Sequence, residues 1–170
     1  MRAVAAVLGF FLALGSPGLA SADASASCKT AHARYAMMGA PGFTAGFRPQ
    51  PRHEGWQSDA AFFIHSDQSR KTFWFLFDGG TARYINLIST TDVTVPGWSP
   101  PPPEGGVRPL GSMHYMAADA DLKFSLEIPR QATPAPTYVL LPDLSEKLRY
   151  GQAGPDQEDA PVAFFKLVGC

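Results

Sequence analysis

The chain contains two cysteines, Cys28 and Cys170, and the second is its final residue. A bond between them would tie the first and last strands of the folded part together. The pairing is expected from compartment. Upstream of Cys28 the chain reads MRAVAAVLGFFLALGSPGLASADASAS. Arg2 precedes an apolar run from Ala3 to Leu14, then a Gly-Ser-Pro-Gly break and the small residues Ala20-Ser21-Ala22. This is the three-part pattern of a secretion signal. The apolar run is about 12 residues, short of the roughly 20 that a membrane-spanning helix needs. Ala24-Ser25-Ala26 offers a second cleavage pattern a few residues on. Exported proteins keep structural disulfides, whereas cytosolic ones rarely do. A Cys28–Cys170 bond and a periplasmic or extracellular location in a bacterium follow as expectations. A lipid anchor on Cys28 fits less well, because Ser25 stands where an aliphatic residue is usual and Cys170 would be left unpaired.

The formal net charge is −1, and removing the signal takes away only one cation, Arg2. That excludes the basic face which nucleic acid or an anionic membrane requires. The 16 prolines, 16 glycines and 12 phenylalanines are distributed as short aromatic and aliphatic runs separated by turn residues. Such punctuation predicts a mainly β, single-domain antiparallel sandwich or small barrel of about seven strands with one or two short helices.

The expected organisation is a signal peptide over 1–22, an extended N-terminal arm over 23–59 and a β-rich domain over 60–170. Within the arm, 28–38 reads as a short helix ended by Gly39, and Phe43, Phe47 and Trp56 as anchors. In the domain, Ala61–His65 is a strand. Lys71–Phe77 places Phe73, Phe75 and Phe77 on one face and Trp74 and Leu76 on the other, the pattern of a strand covered on both sides. Asp78-Gly79-Gly80 suits a tight turn into a return strand over Ala82–Ser89. Residues 92–111 hold four consecutive prolines, Pro100 to Pro103, and exclude a central strand. Ser112–Ala117 and Leu122–Ile128 read as a second hairpin, with Leu122, Phe124, Leu126 and Ile128 on its buried face. Tyr138–Leu141 and Val162–Val168 are further strands. Between them lies a short helix capped by Asp143 with Glu146 three residues on, ending at Gly151.

Chemistry is sparse. His65-Ser66-Asp67 has the residue types of a hydrolytic triad, but a strand sends Ser66 to the face opposite its neighbours. No Gly-x-Ser-x-Gly elbow supplies another nucleophile. The four histidines, His32, His53, His65 and His114, lack metal-site spacing. Asp119 with Asp121, and Asp156 with Glu158 and Asp159, do not match a calcium loop. No metal or cofactor is expected. The best binding candidate is Trp98 beside the rigid proline run, with Arg108 nearby, since Trp and Arg anchor interfaces; the alternative is that Trp98 tucks under its loop. The aromatic run Phe73–Phe77 would line a ligand cavity in a hollow barrel, and is core in a filled one. The expected function is a non-catalytic binding or interaction module whose partner is a protein, a glycan or a small apolar ligand. The alternatives are a hydrolase with a dispersed site that includes His65 and Asp67, and a structural protein of the cell envelope.

Overall fold

The structure is a computed structural model, and it describes residues 28–79, 84–151 and 157–170. The signal segment 1–22 therefore lies outside the described residues. Among those described, the alternation of side chains produces nine strands. These are β1 (Arg34–Met37), β2 (Ala40–Pro49), β3 (Ala60–Ser66), β4 (Lys71–Asp78), β5 (Ile85–Thr90), β6 (Ser112–Ala118), β7 (Phe124–Ser125), β8 (Tyr138–Leu140) and β9 (Phe164–Gly169). A 3-10 turn covers Thr30–His32, and one α-helix, α1, covers Leu144–Tyr150.

Every pairing is antiparallel, in the order β5-β4-β3-β2-β1-β9-β8-β6-β7, and β5 also pairs with β6. That extra pairing closes eight strands into a barrel and leaves β7 as an appendage of β6. The barrel is a meander. Each neighbouring pair is joined by the intervening chain except β1 with β9, the first strand with the last. Cys28 and Cys170 are bonded at this seam, with Cα atoms 5.6 Å apart, next to the Arg34–Gly169 pair.

The interior is filled. Tyr35, Phe47, Phe62, Phe75, Phe77, Tyr115 and Phe165 are all fully buried within one cluster. Their rings meet mostly edge to face, as in Phe47–Phe62 at 5.2 Å and Phe77–Tyr115 at 5.1 Å between centroids. Edge-to-face contacts put positive ring edges on negative ring faces and fix the packing. Phe73, Phe75 and Phe77 belong to this core, and Phe73, at its margin, also touches an outer groove. One barrel end is stoppered by α1, whose Leu144 and Leu148 enter the core. The segment after α1 is held there by Glu158, which is buried and accepts a hydrogen bond from the buried Ser66 hydroxyl. The other end is crossed by 129–136. Pro129 O accepts from Ser58 Oγ at 2.6 Å, and Pro136 O accepts from the Tyr35 hydroxyl at 2.9 Å.

Four expectations are corrected. Residues 34–49 are not an arm: β1 and β2 are barrel strands, with Phe43, Ala45 and Phe47 pointing inward. Gly46 serves close packing in β2. A Cβ at Gly46 would lie 2.8 Å from the Phe63 ring and 2.9 Å from the Ala33 carbonyl. The helix expected over 28–38 is the 3-10 turn followed by β1. In the second hairpin β7 is two residues long, and Leu122, Phe124 and Leu126 face solvent. Asp143 does not cap α1 with its side chain; its carboxylate accepts from the His114 backbone N–H at 2.7 Å. The expected turn at 78–80 falls partly outside the described residues, and the last pair of its hairpin is Asp78 with Asn86.

Breaking the disulfide removes a constraint spanning 142 residues, for which chain entropy sets an upper figure of about 5 kcal/mol. In Cys28→Ser/Cys170→Ser, hydrogen exchange should accelerate first at Tyr35–Met37 and Phe165–Leu167, with Phe73–Phe77 still protected. Exchange in β4 ahead of the seam would contradict this. Alkali should also act through the core. Burial raises the pKa of both Tyr35 and Tyr115, and the neighbouring Tyr35 also raises that of Tyr115. Both are neutral in either state below about pH 10, so stability is level there. Above it only the unfolded chain ionises, and stability falls by about 1.4 kcal/mol per pH unit per tyrosine. Urea midpoints from pH 9 to 12 should drop less steeply in Tyr115→Phe.

Candidate functional site

Strand alternation sends Ala61, Phe63 and His65 of β3, Thr72, Trp74 and Leu76 of β4, and Ile88 and Thr90 of β5 to the outside of the barrel. The loop 91–111 covers part of this face. Under it, Trp56, Ala61, Leu76 and Val93 form a second buried cluster, with Trp74, Ile88 and Trp98 partly buried against it. All three tryptophans of the chain thus meet on one outer face.

The proline loop is fastened by its own polar groups. Trp56 Nε1 donates to Pro101 O at 2.9 Å, and Trp98 Nε1 donates to Thr91 Oγ1 at 3.1 Å. Arg108 donates to Ser89 O at 3.2 Å and to Pro102 O at 2.9 Å, and its guanidinium sits 5.4 Å from the centroid of the Trp56 ring. Burial draws the Arg108 pKa down from its usual value, yet a guanidinium so placed stays charged near neutrality. The structure therefore brings Trp98 and Arg108 into one loop, and both bind their own chain. Trp98 keeps part of its surface exposed.

Beyond the loop the face is open. Phe63 and Trp74 are cross-strand partners with ring centroids 5.5 Å apart and planes at 52°. Arg34 lies over the Phe63 ring at 5.9 Å. Trp74 forms one wall of a groove of about 390 Å³, whose lining includes Lys71, Thr72, Thr90, Thr91 and Asp92. That volume is within the range of small-molecule sites. Thr90 is 4 % exposed, and its hydroxyl has no hydrogen-bond partner among the described residues. An unmet buried hydroxyl costs about 1–3 kcal/mol, so it requires a reason. Asp92 shapes the rim: its Oδ1 accepts from the Thr94 N–H at 2.8 Å and the Thr94 hydroxyl at 2.7 Å.

The hydrolytic candidates lie on the same outer face. His65 Nε2 is 3.6 Å from Asp67 Oδ1, and His65 Nδ1 shares a hydrogen bond of 3.0 Å with Thr72 Oγ1. Ser66 points the other way, into the barrel end. A second pair, His114 and Asp143 at 2.8 Å, escaped sequence reasoning because β6 and the α1 entrance are brought together only by the fold. No group of three His, Cys, Asp or Glu among the described residues is arranged to hold a metal. Asp119 Oδ1 instead accepts the N–H groups of Asp121 and Lys123, and Asp159 pairs with Arg149. Asp156 lies outside the described residues.

The groove around Trp74 was missed in the sequence. Alternation places Trp74 opposite the core face, but it does not say where the covering loop stops. No protein-family model, curated protein or solved structure matches the chain. Arg108→Ala should lower unfolding free energy by about 2 kcal/mol, from two charged hydrogen bonds and the Trp56 contact. Urea denaturation measures it, and an unchanged midpoint would show that the loop is held without Arg108.

Proposed function

We propose that this protein is a non-catalytic binding module of an exported compartment and that its ligand is a saccharide held in the groove beside Trp74. The carrying observation is the buried Thr90 hydroxyl, unpartnered among the described residues, next to a partly exposed tryptophan. A pyranose has a C–H face that packs on an aromatic ring and hydroxyls around its edge. Trp74 suits the first, and Thr90, Thr72, Thr91 and Asp92 suit the second. The packed interior supports an outer site, since aromatic side chains already occupy the barrel. The disulfide supports an oxidising compartment. Trp98 and Arg108 take part by holding the loop that forms the groove's far wall.

Titration calorimetry against a panel of neutral oligosaccharides tests this. Trp74→Ala should abolish binding. Thr90→Val should weaken it about tenfold, the effect of losing one buried hydrogen bond, while leaving stability equal or slightly higher. A Thr90→Val variant that binds as well as wild type would remove the proposal, as would a panel without a binder.

A second reading has one observation in its favour. Thr72, His65 and Asp67 stand in the order of nucleophile, base and orienting acid. It ranks lower because the His–Asp separation exceeds a hydrogen bond and the group is open to water. Ester hydrolysis by wild type that disappears in both His65→Ala and Thr72→Val would favour it.

A further inference from the structure

Closing a sheet into a barrel removes its edges, and β7 restores one. It pairs with β6 through Ala117–Ser125 and Ala118–Phe124, and among the described residues no strand is paired to its other side. Around it Leu122, Phe124 and Leu126 are 54 %, 53 % and 65 % exposed. Proteins usually shield a bare edge with prolines, inward charges or a covering loop. Here the edge carries the exposed Phe124 and Leu126 instead.

The sequence around that edge is self-complementary. Residues 122–128 read Leu-Lys-Phe-Ser-Leu-Glu-Ile, and about Ser125 the residue types mirror one another: Phe124 with Leu126, Lys123 with Glu127, Leu122 with Ile128. We propose that β7 is the contact by which two copies of this chain pair edge to edge, antiparallel, about a two-fold axis at Ser125. In that register Lys123 of each copy faces Glu127 of the other. Phe124 lies beside Leu126, while Leu122, at φ 61°, and Ile128, packed against the core, stay outside the pairing. Alternation puts both ion pairs on one side of the joined strands and the apolar pairs on the other. A two-fold contact uses the same patch twice, so a self-complementary segment is what it demands. A foreign strand would need no mirror in this sequence, and a second copy does. The monomer competes weakly: Lys123 reaches Asp121 at 3.7 Å with both side chains 76 % exposed, and such pairs exchange readily. The contact is short, so the dimer is a concentration-dependent one. This proposal is independent of the saccharide reading.

Sedimentation velocity on the signal-free chain, from roughly micromolar to millimolar protein, tests it. Wild type should pass from monomer to dimer. Lys123→Glu and Glu127→Lys each place two like-charge pairs at the contact and should weaken dimerisation about tenfold or more. The double exchange Lys123→Glu/Glu127→Lys should recover wild-type association, because it restores both pairs. Equal melting temperatures across the set would confirm that the exposed substitutions leave the fold intact. A wild type that stays monomeric at every concentration would overturn the proposal. So would a double exchange no better than the single ones, or a Ser125→Pro variant that still dimerises.

Discussion

The architecture depends on one junction, the pairing of the first strand with the last. In a meander barrel every other seam is guided by the chain that runs from one strand to the next. The β1–β9 seam has no such guide, and its register must be found between residues far apart in sequence. Hydrogen bonds alone would leave it the easiest place to open, since loop closure over so long a separation is entropically costly. The Cys28–Cys170 bond sits at this seam. It acts as the missing connection, and it links the oxidising compartment expected from the N-terminal segment to the integrity of the barrel.

Closure also decides where function can reside. An eight-stranded barrel is narrow enough for side chains to fill, and here aromatic rings do so. Both ends are stoppered, one by α1 and the other by 129–136. The proposed recognition therefore uses the outside, where a proline-rich loop covers part of one face and stops short of Trp74. Stiffness in that loop comes from prolines and from Arg108, so the groove at its margin is formed before any ligand arrives. Preorganisation of this kind reduces the ordering cost of binding.

Much of the barrel was legible in the residues. β3, β4, β6, β8 and β9 all fall on runs read as strands, and the two-sided burial of β4 was evident from Phe73 to Phe77. The errors have a common cause. Residues up to 59 were read as an extended arm, whereas Gly46 within it makes space for the Phe63 ring in a barrel strand. Leu122, Phe124 and Leu126 were read as core because their spacing matches a buried strand, yet no second layer lies over them. Periodicity records that side chains alternate; it does not record what stands opposite each face. The candidate site was harder still. Trp98 and Arg108 were found through composition, whereas Trp74 and Thr90 depend on β4–β5 register and on the margin of a loop.

The sequence by itself determined the β class, the two-faced central strand, the exclusion of the proline run from the sheet and the chemistry of the Cys28–Cys170 bond. These are local properties, set by side-chain alternation, proline geometry and thiol oxidation. Tertiary structure alone decided that the sheet closes and that 34–49 belongs to it. It also decided that the interior is full, that the three tryptophans share an outer face, and that β7 ends the strand order among the described residues. Each of those outcomes depends on contacts between segments distant along the chain, and their energies come from the surfaces that meet, which no single stretch of residues contains.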